Sequence, residues 1–448
     1  MTSLSIESMR SGSLDPDGNR GGAPSFAVLG GPGARLLAGP PHAGGTESLV
    51  DHNRRLNPLE LDAVDPAELR AIIERSGLLG RGGGQFPIAT KCAVAAESPG
   101  VAVVVVNASE GEPASRKDRT LIEMRPHLVI DGAMVAARAI GADEIVFYLH
   151  EGRGPSIAAL QGAISERGND AVPVRLVEAP ARYVAGETSA VISYLEGSGA
   201  LPRHRSVPAA ASGLFGRPTT VNNAETIAHL ALVARYGSRW FAEAGDRSSP
   251  GSTLVTLAGE VTVPGVVAEV LEPVPLGALL STVGGLDEAP RAVLIGGYEG
   301  IWLDGKIARV TPLSRGSLFR AGVSIGCGLV AVLGGRSCGV ATTARIVRWL
   351  AGESAGQCGP CASGLPAIAD VLDALGGGAA TRRDLRRLRQ LCAAVAGRGA
   401  CGHPSGVVSL VESALDTFAP EVDEHLAGRS CAPSALGFPL PRRAGSKR

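Results

Sequence analysis

The sequence predicts an α/β fold with a mainly parallel sheet, followed by a small β-rich module and a C-terminal group of four helices. Three observations carry this reading. The apolar runs VAVVVVN (101–107), EIVFYLH (144–150) and VPVRLVEA (172–179) alternate with helical patterns at 120–142 and 156–168, and such alternation implies right-handed βαβ crossovers. Short strand-like segments separated by turn signals fill 250–335, among them STLVTLAGEV, VPGVVAEVLE and RAVLIGG. Helical patterns then recur at 338–352, 362–375, 382–396 and 405–417.

Each element has a local reason. DPAELRAIIERSG reads as a helix running into a glycine loop. VAVVVVN has no polar alternation, as expected of a strand buried on both faces. It ends at Asn107, directly before the polar loop ASEGEP, and ligands in such sheets bind beyond the carboxyl ends of the strands. In the third C-terminal helix, Leu385, Leu388, Cys392 and Val395 share one face, which makes Cys392 a packing residue. Thr381 and Asp384 read as a capping box at its start. Residues 1–55 and 429–448 are rich in Gly, Pro and Ser or lack periodicity, and read as flexible segments. Between them the boundaries fall at 56–247, 248–335 and 336–428.

At 448 residues the chain is too long for one ordinary core, so two to four domains are expected. A hydrophobic fraction of 45% with 19% charged residues is that of a globular protein. The formal net charge is +0, which excludes the basic field that nucleic acid or an anionic membrane calls for. No apolar run approaches the roughly 18 residues of a spanning helix, and the first residues lack the apolar core of a secretory signal. These features place the protein in the cytoplasm, with a position beside a membrane redox partner left open. The eight cysteines then read as metal ligands or redox groups before disulfides.

Four motifs can carry chemistry. GRGGGQFP (80–87) lets the backbone approach a ligand closely, or is a glycine-rich turn. NASEGEPASRKDR (107–119) follows a buried strand and can hold a polar cofactor edge, or is a solvated loop of ion pairs. GETSAVISYLEG (186–197) and VNNAETIAHL (221–230) can hydrogen-bond a ligand, or use Asn as a helix cap. ESAGQCGPCASG (353–364) supplies the pair Cys358 and Cys361, and Cys401 can close a metal site from another loop. The plainer reading of these three is buried free thiols.

Together and in this order, from about Gly77 to about Glu424, the motifs resemble the NADH-binding flavoprotein subunit of respiratory complex I and the related diaphorase subunits of NAD-linked hydrogenases and formate dehydrogenases. The resemblance implies an FMN- and NADH-binding α/β domain, a β-grasp-like module and a helical iron–sulfur domain. It implies hydride transfer from NAD(P)H to FMN, with single electrons leaving through the cluster to a ferredoxin-like or other redox subunit. By residue-wise matching, Gly82, Gly83, Phe86, Lys91, Asn107, Glu110, Gly186, Asn222, Asn223 and Thr226 would bind cofactor. Glu112 and Glu187 would be the acids of the reaction, and Cys358, Cys361 and Cys401 the cluster ligands.

The sequence also departs from that family. Its cluster motif reads C-x-x-C-x-x-C, and the first cysteine is Ala355 here. The ligand set then implies a [4Fe–4S] cluster with a fourth ligand from elsewhere, a three-iron cluster, or no stable cluster. Gln357, His403 and an exogenous ligand are the candidates for the fourth place. Of the aromatic clamp on adenine only Phe86 is kept, with Val94 and Pro208 at the other positions. Thr188 replaces a glutamate, Ser109 an aspartate and Gln85 a glycine. NADH binding is therefore expected to be weaker by roughly a few kcal/mol. Two rival readings follow: an electron-transfer module that does not use NADH, and a scaffold without either redox centre.

Overall fold

Val103, Val104, Val105 and Val106 are completely buried, and they form the centre of a sheet with helices on both faces. The computed structural model describes residues 28–29, 34–39, 45–168, 170–283, 289–429 and 431–441. The chain begins with β1 (Val28–Leu29), α1 (Leu49–Leu56), α2 (Pro66–Ser76) and α3 (Ile88–Glu97). It continues through β2 (Ala102–Asn107), α4 (Lys117–Met124), α5 (Pro126–Ile140), β3 (Ala142–His150), α6 (Gly154–Arg167) and β4 (Val174–Ala179). Then come α7 (Thr188–Leu195), β5 (Thr219–Asn223) and α8 (Ala224–Ala242). A hairpin of β6 (Gly245–Asp246) and β7 (Ser249–Pro250) leads into β8 (Thr253–Gly259), β9 (Val266–Val270), α9 (Leu276–Ser281) and β10 (Ala292–Ile295). After β11 (Ile301–Asp304), α10 (Gly305–Val310), α11 (Arg315–Arg320) and β12 (Leu329–Leu333), the chain turns helical. The helices are α12 (Gly339–Glu353), α13 (Leu365–Gly376), α14 (Arg382–Val395), α15 (His403–Thr417) and α16 (Ala419–Leu426).

The first sheet has the order β4-β3-β2-β5 and every pair in it is parallel. Alternate residues of β2 enter different cores. Val104 and Val106 join α2, α5 and α8 on one face, while Val103 and Val105 join α7 and Leu214 on the other. Helices α5 and α8 meet closely: a Cβ on Gly132 would stand 1.8 Å from the carbonyl oxygen of Ile227.

The sequence reading missed β5. Its residues, TTVNN, carry one aliphatic side chain, so they gave no strand signal. The single helix expected over 120–142 is two, α4 and α5, because Pro126 cannot continue the helix before it. The capping box at Thr381 and Asp384 forms as expected.

The second sheet is mixed, in the order β1-β9-β8-β12-β10-β11. One face, with Val255, Val293 and Val330, packs on α9, α10 and α11. The other face, with Leu294, Ala331 and Leu333, shares a single core with α12 to α16. The β-rich module and the helical region are thus joined through one hydrophobic interior. A fifth helix, α16, extends the four expected from periodicity.

The described parts of both termini depart from the reading as flexible segments, and 442–448, like much of 1–55, lies outside the described residues. Residues 34–38 do not hang free. Glu269 on β9 accepts hydrogen bonds from the backbone N–H of Arg35, Leu36 and Leu37 at 2.9–3.0 Å. His52 of α1 is completely buried and 2.8 Å from Asp131. At the other end, Phe438 is 1% exposed, and Arg345 donates to the carbonyls of Ala435 and Phe438. Buried charge pairing and one aromatic anchor hold segments whose composition alone suggests solvent.

Replacing Gly132 by Ala should lower stability by about 3 kcal/mol or more, because a methyl group cannot fit against a backbone oxygen in a packed helix pair. The check is the urea midpoint of the variant, and an unchanged midpoint would refute the close α5–α8 contact.

Candidate functional site

Strands β3 and β4 lie on one side of β2 and β5 on the other, so the chain reverses its direction of winding at β2. Asn107, the last residue of β2, pairs with Asn223, the last of β5. A crevice opens at such a switch point, beyond the carboxyl ends of the strands. Here it is a cavity of about 870 Å³. Its wall includes Gly82, Gly83, Phe86, Lys91, Asn107, Glu110, Glu112, Gly186, Glu187, Asn222, Asn223, Thr226 and Cys401. All twelve candidate cofactor-binding and acid residues named from the sequence therefore border one space, together with one candidate cluster ligand.

Most of the polar groups on this wall are committed to one another. Asn107 donates from Nδ2 to the Gly186 carbonyl at 2.7 Å, and its Oδ1 accepts from Ser109. Asn223 caps α8 through the N–H of Glu225, and it also bonds Lys117 and Asp118. Glu110 has a positive φ of 45°, and its carboxylate accepts from Ser115 Oγ, the Asp118 N–H and Arg119 Nε at 2.9 Å each. Glu187 caps α7 by accepting from the N–H of Ser189 at 2.7 Å. The backbone N–H of Arg81 donates to Thr226 Oγ1 at 2.8 Å, tying the glycine loop to α8. The resemblance implied that these residues touch cofactor, while the motifs alone left open a helix-capping Asn, which is what Asn223 is. Their side chains first fix the loops in place.

A smaller set is left over. Asn222 Nδ2 is buried without a partner, while its Oδ1 accepts from Lys91. Lys91 Nζ otherwise meets only the Val221 carbonyl, at 2.9 Å, and burial lowers its pKa. A buried cation facing neutral oxygens suits an incoming anion. Glu112 Oε2 accepts from the Tyr298 N–H at 2.8 Å, the Ala114 N–H also acts on the carboxylate, and Oε1 makes no hydrogen bond among the described residues. Burial, with Glu299 adding to it, pushes the Glu112 carboxyl up to about 8, so at neutral pH it holds a proton. An amide donor, a cation and a protonated acid beside a glycine loop fit a phosphate-bearing, ring-containing cofactor such as FMN.

The second sheet completes the wall with Gly296, Glu299, Ser324, Gly326 and Cys327. Tyr183 and His403 stand there too, their rings 5.8 Å apart. Apart from His403, named above only as a possible cluster ligand, the motif reading did not find these positions. Gly296, Glu299, Ser324, Gly326 and Cys327 come from loops beside β10 and β12, distant in sequence, and carry no local pattern. Phe86 is half exposed at the rim, whereas neither Val94 nor Pro208 is among the residues lining the cavity.

The candidate cluster ligands come from two loops. Cys358 precedes a π-helical turn at Pro360–Gly364 that contains Cys361, and Cys401 precedes α15. Burial pushes Cys361 up to about 12, and the nearby Cys358 and Cys401 add to it. Burial raises Cys358 too, but the backbone N–H groups of Ala400 and Cys361 outweigh it and hold that thiol below its usual value. Three thiols within electrostatic reach of one another gain from a shared cationic centre, which is what an iron–sulfur cluster supplies. His403 is removed as a fourth ligand: Nδ1 pairs with Glu299 at 2.5 Å and Nε2 with the Leu350 carbonyl at 3.1 Å. Gln357 is exposed. The loop that presents Cys401 continues through Gly402 and His403 along the cavity wall, so the thiol site and the cavity share a boundary.

Fold and site together define a flavin-binding α/β protein joined to a helical iron–sulfur region. Two family models match in these places: the Nuo51 FMN-binding domain over 73–232, and the NADH-ubiquinone oxidoreductase-F iron-sulfur binding region over 341–425. The chain is 31% identical to an NADH-quinone oxidoreductase F-type subunit of Rhizobium meliloti, over 83% of this chain and 91% of that one. It is 30% identical to the NADP-reducing hydrogenase subunit HndC of Solidesulfovibrio fructosivorans, over 82% and 78% respectively. A solved chain of an NAD+-reducing [NiFe]-hydrogenase in the H2-reduced state is similar in structure, with a TM-score of 0.76 and 31% identity. That match covers 83% of this chain and 66% of the hydrogenase chain, so this chain spans just under two thirds of its length. The chain belongs to the family of F-type subunits of NADH-quinone oxidoreductase.

The raised Glu112 carboxyl has a pH signature. Between the ordinary glutamate value of about 4.3 and about 8, the folded chain keeps a proton that the unfolded chain has lost. Stability therefore falls as pH rises across that window. In flavin-free protein, the Tm of the wild type should drop relative to Glu112→Gln up to about pH 8 and run parallel to it above. Parallel curves throughout would show that Glu112 is ionised.

Proposed function

We propose that this chain is an oxidoreductase that takes electron pairs from a nicotinamide nucleotide and passes them singly to a protein partner. The observation that carries this reading is the shared wall: the loop of Cys401, Gly402 and His403 borders both the cavity and the cluster thiols. Bound there, FMN supplies the conversion between two-electron and one-electron transfer, and an iron–sulfur cluster supplies the one-electron outlet. Lys91 and Asn222 Nδ2 would hold the cofactor by a cation and an amide donor, and Gly82 and Gly83 would let the backbone lie against it. Asn107, Glu110, Asn223 and Thr226 act one step back, by fixing the loops that carry these groups. Glu112 holds a proton on its carboxyl beside the cavity. Glu187 keeps the start of α7 in place next to Cys401. Cys358, Cys361 and Cys401 hold the cluster, with an exogenous group or Gln357 in the fourth position.

A second reading has support from one observation. Of the three clamp positions only Phe86 carries an aromatic ring, with Val94 and Pro208 at the others. The electron donor would then be a ferredoxin-like or other redox subunit in place of NAD(P)H. Anaerobic titration separates the two. Bleaching of the flavin band at about 450 nm by NADH or NADPH supports the first, and bleaching by reduced ferredoxin alone supports the second. Protein that takes up neither flavin nor iron would overturn both.

Among the described residues no helix is long and apolar enough to cross a membrane. All eight cysteines are free thiols, which supports a place in the reducing cytoplasm, docked to further redox subunits.

Two substitutions test the assignments. Asn222→Ala should weaken FMN binding by about tenfold, the worth of one well-placed hydrogen bond, read by quenching of flavin fluorescence. Ala355→Cys should raise bound iron towards four per chain and slow cluster loss in air, since it restores a fourth thiolate. Unchanged iron content would place the cluster away from position 355.

A further inference from the structure

Three side chains that do not line the flavin cavity converge on one point. Cys338 is the N-cap of α12, His425 lies in the last turn of α16, and Cys431 opens the C-terminal tail. Their ligand atoms lie within 4.8 Å of one another, and among the described residues this is the one His, Cys, Asp or Glu group of three so arranged. His425 Nε2 is 3.3 Å from Cys338 Sγ and 3.1 Å from Cys431 Sγ. The His425 ring is 1% exposed and, among the described residues, its Nδ1 has no partner and the two sulfurs are the only polar groups bonded to the ring.

As hydrogen bonding this is poor chemistry. One ring nitrogen has either one proton or one lone pair, yet it faces two thiols. A metal ion satisfies all three atoms together. Ordinary zinc bond lengths imply an S···N edge of roughly 3.6 Å in a tetrahedral site, close to what the free groups already adopt. The N–H of Ala341 donates to Cys338 Sγ at 3.2 Å, a hydrogen bond that a metal-bound thiolate would keep. Glu421 borders the same point. Its Oε2 is 4.0 Å from Cys431 Sγ and accepts from the Gly339 N–H, while Oε1 pairs with Arg291.

We propose that Cys338, His425 and Cys431 form a structural site for a zinc-like divalent cation, with water or Glu421 in the fourth position. Two thiolates and one imidazole select a borderline-soft metal over calcium or magnesium. The site closes the root of the tail. Beyond it, the Cys338 N–H bonds the Pro433 carbonyl, Tyr298 Oη donates to the Pro439 carbonyl, and Trp349 Nε1 to the Pro441 carbonyl. Tyr298 is also the residue whose N–H holds Glu112, so the ion would secure a strap that ends behind the flavin cavity.

Elemental analysis of the full chain, purified without chelator, should find about one zinc per chain besides its iron. Cys431→Ser, a change at an exposed position, should lose that zinc and leave iron and flavin content unchanged. His425→Cys should retain zinc, and His425→Ala should lose it. Cobalt(II) added to zinc-free protein should give a thiolate charge-transfer band that Cys431→Ser lacks. Absence of zinc even after incubation with zinc chloride and dialysis would overturn the proposal. So would retention of zinc by Cys431→Ser, or a Cys338–Cys431 disulfide found by peptide mass. If His425→Ala fails to fold, the Cys431→Ser result decides.

Discussion

The site depends on the lateral pairing of β2 with β5. Asn107 and Asn223 sit side by side because two strands separated by more than a hundred residues end in register at the point where the chain changes its winding direction. That register places the 107–119 loop, the glycine loop and the start of α8 around one crevice. Without β5, Lys91 would lose the Val221 and Asn222 oxygens that position it. Asp118 would also lose its bond to Asn223.

Polar groups on the cavity wall divide into those that shape it and those left to act. Asn107, Glu110, Asn223 and Thr226 are bonded to other loop atoms, and each such bond removes a degree of freedom from the wall. Asn222 Nδ2, Lys91 and Glu112 Oε1 are the remainder. Leaving a buried donor or acceptor without a partner costs roughly 1–3 kcal/mol, so a fold that keeps such atoms in one cavity is preorganised for a polar ligand. Burial also determines the state of Glu112. The same carboxyl at the surface would be ionised, whereas here it keeps its proton near neutrality.

The helical region is placed by packing of a different kind. Leu294, Ala331 and Leu333 of the mixed sheet enter the core of α12 to α16, so Cys401 cannot move independently of the cavity that its loop lines. That shared interior packs the helical region against the mixed sheet, whose loops supply one side of the cavity wall.

Much of this was legible in one dimension. The buried strands, the glycine loop, the cysteine pair and the capping box at Thr381 are local patterns, and local patterns survive without partners. The absence of a cysteine at position 355 is likewise a fact of the chain alone. The strand β5 was not legible, because Thr and Asn in TTVNN say nothing until β2 lies beside them. Nor was the division of labour between Asn222 and Asn223, adjacent and chemically identical, which differ only in what surrounds each amide. The commitment of both His403 nitrogens, the wall residues from the second sheet and the meeting of Cys338 with His425 and Cys431 are also products of tertiary structure. Sequence determined which chemical groups exist and which elements carry them. Only the folded chain decided which groups are consumed by neighbours and which stay free, because hydrogen bonding and burial are properties of pairs in space.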